Sequence, residues 1–216
     1  MNPILAYVIC AVTGYLCGCF SLSYILAKAR GFDIRTRGTN NAGASNAVIT
    51  LGVKAGVAVG ACDIFKAFIP VLVLSLIFSG VDYPLVKHIT AVSCVIGHMH
   101  PFYLKFRGGK GFASYIGATL AINWWFGLLV VAGILLLAFI TDYIVSGTFF
   151  TITALPLFVW LYDKSWIGAI ILAALSLLIL IRHYKNIKSI INGTEKSVRE
   201  SLLKKKPLWK RKKAEK

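Results

Sequence analysis

The stretch that decides the fold is "FASYIGATLAINWWFGLLVVAGILLLAFI", residues 112–140. It contains no charged residue, and it is longer than the roughly 20 residues that a helix needs to cross a bilayer. The stretch is therefore either one tilted helix or two short helices that meet at Asn123, Trp124 and Trp125. The choice decides on which side of the membrane the rest of the chain lies.

The whole chain has the composition of an integral membrane protein. Of its 216 residues, 57% are hydrophobic and 15% are charged, which excludes disorder and a water-soluble single domain. No Lys or Arg precedes the first apolar run, so we expect that run to stay as a membrane helix and not to be a signal peptide. Besides residues 112–140, five runs, the first run included, are long enough to cross the hydrocarbon: residues 3–27, 55–79, 84–104, 144–162 and 166–182.

The positive charges decide between one helix and two. Of the 24 Lys and Arg residues, five lie in residues 28–54, three in 105–110 and thirteen from Arg182 onward. Segments rich in Lys and Arg stay in the cytoplasm and face its anionic lipids. Only two helices within residues 112–140 place all three segments on that side. The sequence therefore predicts an all-α membrane protein with seven transmembrane segments, two of them short, with the N-terminus outside and the C-terminus cytoplasmic.

This topology brings four polar segments to the cytoplasmic face, where we expect them to converge. We expect residues 1–195 to form one membrane domain and residues 196–216 a basic cytoplasmic tail. The four segments are "RGTNNAGASNAV" (37–48), "FRGGKGFAS" (106–114), "DYIVSGT" (142–148) and "RHYKNIKSIINGTE" (182–195).

The first two polar segments have the composition of phosphate-binding loops. In residues 38–46, Gly and Asn permit positive φ, so several donors can point to one anion. In "GGKG", residues 108–111, Lys110 adds a full charge beside the N-terminus of the predicted fourth helix. A re-entrant turn that needs small residues is the alternative for the first segment, and a simple positive-inside loop for the second. Gly111 stands where a Walker A motif needs Ser or Thr, which excludes that motif.

Two pairs of polar residues lie within or at the end of predicted helices. Asp63 and Lys66 share one face of the second span at i, i+3 spacing, where they either pair with each other or line a wet cavity. His183 and Asn186 share a face at the end of the last span, where a capping role is the alternative to a catalytic one. No nucleophile motif is present, so we predict no covalent intermediate.

Five blocks, in this order and spacing, resemble the bacterial acyl-phosphate:glycerol-3-phosphate acyltransferase family, membrane enzymes that begin phospholipid synthesis. The blocks are "GCFSLSYILAKARGFDIRTRGTNNAGASNAVITLG" (18–52), "DIFKAF" (63–68), "GHMHPFYLKFRGGKGFAS" (97–114), "VS" (145–146) and "RHYKNIKSIINGTE" (182–195). The resemblance implies a seven-helix enzyme of the bacterial inner membrane. Such an enzyme moves a fatty acyl group from acyl phosphate to the 1-hydroxyl of glycerol 3-phosphate, giving lysophosphatidic acid and phosphate.

The resemblance also implies partners and site residues. It implies no metal and no organic cofactor, and contact with the lipid membrane and with the enzyme that produces acyl phosphate. No nucleic acid is expected as a partner, because apolar spans separate the basic segments and no nucleic-acid-binding motif is present. The residues that it implies for catalysis are Ser45, Lys110, Ser146, His183 and Asn186. Those that it implies for binding substrate or phosphate are Thr39, Asn41, Gly43, Asn46, Gly108, Gly109, Gly111 and Ser114.

The chain departs from the family pattern where an acceptor phosphate is expected to bind. Ile49 stands where the family has an arginine. Lys54, Arg35 or Arg37 could supply the missing charge from the same loop. A divergent acyltransferase with another polyol-phosphate acceptor is therefore an alternative. A small organic-anion transporter and a membrane scaffold are the alternatives from other functional classes.

Overall fold

The computed structural model describes residues 1–79, 83–195 and 197–199, and these residues form ten α-helices and no strand. The all-α prediction is therefore confirmed for this part of the chain, whereas the predicted tail, apart from residues 197–199, lies outside it. Short 3-10 turns cover Ile34–Thr36 and Phe102–Leu104. The helices are α1 (Pro3–Cys19), α2 (Leu22–Lys28), α3 (Ala44–Leu51), α4 (Val53–Ile77), α5 (Val86–Met99), α6 (Phe112–Ile122), α7 (Trp124–Thr141), α8 (Ile144–Leu161), α9 (Trp166–Arg182) and α10 (Tyr184–Ile191).

The stretch at residues 112–140 forms two helices, as the charge distribution predicts. The backbone of Asn123 is extended, with φ at −152° and ψ at 112°, and this separates α6 from α7. The Asn123 side chain accepts a hydrogen bond of 3.1 Å from the backbone N–H of Phe126. Asn is a favoured N-cap because its side-chain oxygen satisfies a helix N–H that has no partner within the helix. One residue therefore ends α6 and begins α7.

Several described helices are long and apolar enough to cross a membrane. Four candidate spans meet this criterion: the α1–α2 pair, α4, α7 and α8. The α9–α10 pair, which is bent by 50°, would be a fifth, and α6 is a shorter apolar helix. Large apolar side chains such as Leu76, Leu135 and Phe139 are exposed on the outer faces of these helices. A multi-pass membrane protein leaves such side chains exposed because lipid covers them in place of water.

Small residues bring α1 and α5 together. A Cβ added at Gly18 would overlap the backbone of Cys94, and one at Gly97 would overlap the Tyr15 carbonyl. Without a hydrophobic force between helices in lipid, such close contact is a main source of helix association. This pair leads directly to the site, because α5 ends next to the glycine-rich loop.

The larger buried core joins α4, α5, α6, α8 and α9. Tyr115 on α6 lies at its centre, fully buried, and shares a hydrogen bond of 2.8 Å with Ser176 on α9. The core thus holds together the helix ends that carry the polar segments.

Candidate active site

The four polar segments surround one cavity of about 550 Å³. Residues from 38–49, 110–113, 144–148 and 182–195 all contribute to its lining. The predicted convergence of these segments is therefore confirmed. Apolar side chains such as Val48, Phe112 and Val145 line the same cavity, so it can hold a ligand with both a charged and an apolar part.

Asn46 organises the first polar loop. Its Oδ1 accepts a hydrogen bond of 2.8 Å from the Thr39 N–H, and its Nδ2 lies 2.7 to 3.0 Å from the carbonyl oxygens of Ile34, Arg37 and Asn41. Asn46 is 1% exposed, and its side-chain polar atoms are all engaged. The residue expected to bind substrate therefore fixes the loop instead.

The other expected residues of this loop do reach the cavity. Thr39, Asn41, Gly43 and Ser45 are all part of the lining. The Asn41 Oδ1 atom is buried and has no hydrogen-bond partner among the described residues. A buried acceptor without a partner carries a free-energy cost that a ligand donor would remove.

Gly108 and Gly109, the first part of the glycine-rich loop, do not have the role expected for them. The N–H of Gly108 donates to the Met99 carbonyl at 2.9 Å, and the N–H of Gly109 donates to the His98 carbonyl at 3.0 Å. These amides cap the end of α5 and are not free to bind phosphate, and neither glycine lines the cavity. We therefore correct their role: they hold the loop against α5, where a side chain at Gly109 would overlap the His98 ring.

The part of this loop that lines the cavity begins at Lys110. Gly111 has a φ of 97°, which favours glycine, and it is the N-cap of α6. Gly111, Phe112 and Ala113 line the cavity together with Lys110. The first N–H groups of α6 have no partner within the helix, and they lie at the positive end of its dipole. Helix N-termini of this kind bind phosphate and carboxylate groups.

Lys110 is joined to the last polar segment by a hydrogen-bond chain. Its Nζ donates to Asn186 Oδ1, and Asn186 Nδ2 donates to Glu195 Oε1 at 2.5 Å. Burial lowers the pKa of Lys110; Glu195 opposes this shift, whereas Arg182 and Lys185 reinforce it. An anionic ligand would relieve the repulsion among these cations.

His183 lines the cavity and is 4% exposed. Its Nδ1 lies 2.8 Å from the Ile179 carbonyl oxygen. Because a carbonyl oxygen only accepts, Nδ1 carries the hydrogen, and Nε2 of the neutral ring is left as an acceptor. His183 is therefore suited to accept a hydrogen bond from a hydroxyl group.

The cations that line the cavity are not the ones expected to bind the acceptor phosphate. Lys54, Arg35 and Arg37 do not line the cavity, whereas Ile49 does. Arg35 is engaged elsewhere, since it forms an ion pair with Asp33 at 2.7 Å and donates to the Leu104 carbonyl at 2.5 Å. Among the described residues, the Lys and Arg side chains in the lining are Lys110, Arg182 and Lys185.

Asp63 and Lys66 form the buried ion pair that their spacing indicates, with Lys66 Nζ 2.6 Å from Asp63 Oδ1. Lys66 also donates to the Phe20 carbonyl at 2.8 Å, at the break between α1 and α2, and lies 2.7 Å from His98 Nδ1. Asp63 and His98 line the cavity as well. Within the described residues, no group of three or more His, Cys, Asp or Glu is placed to hold a metal ion.

Two expected serines lie outside the cavity lining, and one unexpected residue lies in it. Ser146 Oγ donates to the Tyr143 carbonyl at 2.6 Å, and Ser114 is completely buried with no partner for its Oγ among the described residues. Thr148 lies two residues after Ser146 on α8. It is fully buried, lines the cavity, and has an Oγ1 without a described partner. No sequence signal separates Thr148 from Ser146, because only the rotation of α8 decides which hydroxyl faces inward.

Comparison with known proteins identifies the family of this chain. The profile of the family described as "Glycerol-3-phosphate acyltransferase" matches residues 8–193, and therefore most of the chain. The chain belongs to the glycerol-3-phosphate acyltransferase family. The matched region contains every residue that we place in the cavity except those after residue 193.

Two curated relatives cover nearly the whole chain. The glycerol-3-phosphate acyltransferase of Clostridioides difficile is 38% identical over 198 residues, which are 90% of this chain and 97% of the relative. Glycerol-3-phosphate acyltransferase 1 of Oceanobacillus iheyensis is 36% identical over 88% of this chain and 93% of its own length.

Two crystal structures of PlsY (YgiH), an integral membrane glycerol 3-phosphate acyltransferase, have the same fold. The glycerol 3-phosphate form has a TM-score of 0.80 and 29% identity, and the match covers 88% of this chain and 94% of that one. The lysophosphatidic acid form has a TM-score of 0.78 and 28% identity, with 92% and 99% covered.

Proposed function

We propose that this chain moves a fatty acyl group from acyl phosphate to the 1-hydroxyl of glycerol 3-phosphate, giving lysophosphatidic acid and inorganic phosphate for phospholipid synthesis. The observation that carries the proposal is the single cavity in which Lys110, the N-terminus of α6, Arg182 and Lys185 meet apolar side chains. Family membership supports the activity, and the PlsY crystal structures are named for the acceptor and for the product.

Two phosphates need several cationic and N–H groups, and the cavity lining carries them. Lys110 and the free N–H groups of α6 suit the phosphate of the acyl donor. Arg182 and Lys185, which are close enough to Lys110 to lower its pKa, add the positive charge that we assign to the phosphate of glycerol 3-phosphate. Ile49 lines the cavity but carries no charge, so we assign the role of the arginine in the family pattern to the cations of α9 and α10.

Once both substrates are bound, the reaction depends on the orientation of the reacting groups more than on a covalent intermediate with the protein. Acyl phosphate is already activated, so holding the hydroxyl near the acyl carbonyl supplies much of the rate enhancement. We assign the orientation of the acceptor hydroxyl to His183 Nε2, while Asn186 accepts from Lys110 and donates to Glu195 and so holds Lys110 in position. The first polar loop, through Thr39 and Ser45, supplies donors toward the developing oxyanion.

The proton of the hydroxyl goes to a phosphate oxygen. The hydroxyl oxygen forms a bond to the acyl carbon, the bond from that carbon to the phosphate oxygen breaks, and the leaving phosphate takes the proton. This route needs no side-chain nucleophile. Single-turnover labelling with a radiolabelled acyl chain should therefore leave no acyl group on the protein.

The proposed function includes a membrane topology for the chain. The helices at residues 3–28, 53–77, 86–99, 112–122, 124–141, 144–161 and 166–182 form seven membrane segments, with the N-terminus outside and the C-terminus in the cytoplasm of a bacterial inner membrane. Both phosphates are then taken from the cytoplasm while the acyl chain stays in lipid. This orientation also allows contact with a cytoplasmic enzyme that produces acyl phosphate.

The purified protein in lipid nanodiscs tests the function. Labelled acyl phosphate is supplied with and without glycerol 3-phosphate, and phosphate release is measured. We expect release to depend on glycerol 3-phosphate and to match the amount of lysophosphatidic acid formed. Release that depends only on another polyol phosphate would support the divergent acyltransferase, and binding without turnover would support a transporter.

A further inference from the structure

Asp63 is a residue of the cavity lining, and one of its two carboxylate oxygens has no described partner. Asp63 is 2% exposed and lines the cavity, yet its Oδ2 has no hydrogen-bond partner among the described residues. Buried carboxylate oxygens are normally hydrogen-bonded, because water has been removed from them. An oxygen that is buried, without a partner and next to a cavity indicates a ligand group that donates to it.

The other oxygen of the same carboxylate is firmly held. Oδ1 lies 2.6 Å from Lys66 Nζ and 3.3 Å from His98 Nδ1. Lys66 is 9% exposed and is itself held by the Phe20 carbonyl. The pair compensates the negative charge of Asp63, so the carboxylate does not repel an anionic ligand as a free one would. The same contacts fix the orientation of Oδ2.

The substrates contain few groups that can donate to this oxygen. A carboxylate accepts and does not donate hydrogen bonds, and the acyl phosphate dianion of the proposed function has no donor either. Glycerol 3-phosphate has two hydroxyl groups. The 1-hydroxyl gives up its proton during the reaction, whereas the 2-hydroxyl keeps its hydrogen from substrate to product and needs a permanent acceptor.

We infer that Asp63 Oδ2 accepts a hydrogen bond from the 2-hydroxyl of the acyl acceptor and thereby selects a glycerol phosphate over simpler alcohol phosphates. The inference rests on the proposed function and deepens it, since it assigns a residue to acceptor specificity. A site that hydrogen-bonds a substrate hydroxyl rejects the analogue without it, because the buried group of the protein is then left unpaired.

The test compares two acceptors in the same phosphate-release assay. The second acceptor is 3-hydroxypropyl phosphate, which keeps the terminal hydroxyl and the phosphate but lacks the 2-hydroxyl. For the unaltered protein we expect kcat/KM to favour glycerol 3-phosphate by about 10- to 100-fold, as for one hydrogen bond to a charged group. In the Asp63→Asn variant, Lys66 donates its hydrogen bond to the amide oxygen. The NH2 group, a donor, then takes the position of the Oδ2 acceptor. The preference should then fall at least about fivefold.

Two further variants keep the test valid. Asp163→Asn removes another paired carboxylate, 2.8 Å from Lys87 and outside the cavity lining, and should leave the preference unchanged. If Asp63→Asn fails to fold because Lys66 loses its counter-charge, the double variant D63N/K66M removes both charges. It should show the same loss of preference.

Several outcomes would overturn the inference. They are an unaltered protein without preference, a folded Asp63 variant that keeps the preference, and an Asp63 variant that slows both acceptors equally. The last result would place Asp63 at the reacting hydroxyl. An unaltered protein that releases no phosphate with either acceptor would overturn the proposed function itself, and the inference with it.

Discussion

Replacing Lys110 with alanine removes a positive charge from the cavity lining. Lys110 stands at the N-terminal end of α6, and its Nζ donates to Asn186 Oδ1. The substitution also leaves Asn186 with only one of its partners, Glu195. A carboxylate would then face the bound phosphate without the ammonium that balances it.

The expected loss follows from these contacts. A hydrogen bond to a charged group contributes about 1.5–3 kcal/mol, and each 1.4 kcal/mol is about tenfold in affinity. The uncompensated Glu195 adds repulsion, so the loss lies at the upper end, about 100-fold in kcat/KM. Lys110→Arg keeps the charge. Since burial lowers the pKa of Lys110, phosphate binding should fall as pH rises through that pKa. In the Lys110→Arg variant the same fall should occur at a higher pH.

The assay is glycerol 3-phosphate-dependent phosphate release, with thermal unfolding as a measure of folding. Lys105→Ala is the matched control, because Lys105 lies in the same loop but outside the cavity lining. The control should retain activity within about twofold. A folded Lys110→Ala protein with the activity of the control would refute the assignment of Lys110 to phosphate binding.

Two further predictions concern Lys185 and the glycine-rich loop. Lys185→Ala should raise KM for glycerol 3-phosphate by about 2- to 10-fold, a modest effect because an exposed cation is partly screened by solvent. Lys188→Ala is the control, since Lys188 is on the same helix but outside the lining, and it should leave KM unchanged. Equal KM values in the two variants would contradict the role of Lys185. Gly109→Ala should lower the unfolding free energy by about 1–3 kcal/mol, because its Cβ would overlap the His98 ring. Gly60→Ala is the control, since its Cβ would lie 3.5 Å from its nearest neighbour, and equal thermal stability of the two variants would contradict this packing.

Local signals predicted much of the fold. The ends of α9 at residues 166 and 182 and the Asp63–Lys66 pair depend on residues close in the chain. Hydrophobic length and i, i+3 spacing are short-range properties, so they can be found without tertiary contacts. The charge distribution along the whole chain added two results, the break between α6 and α7 and the convergence of four polar segments on one cavity.

Individual site roles were predicted less well because they depend on which way each group points. Asn46 and Gly109 belong to the right loops, but the fold uses their polar groups to hold those loops. Arg182 and Lys185 were not expected to supply charge, since nothing in their sequence spacing indicates that α10 bends back toward Lys110.

The sequence by itself determined that this protein lies in the membrane, that it is helical, and that its glycine- and asparagine-rich segments come together. Apolar length and charge asymmetry are enough for that, because the bilayer admits few other structures. Only the tertiary structure decided which side chains enter the cavity. Helix rotation and side-chain hydrogen bonds bring Thr148 and Asp63 inward and leave Ser146 outside, and such orientation is fixed by packing among distant segments.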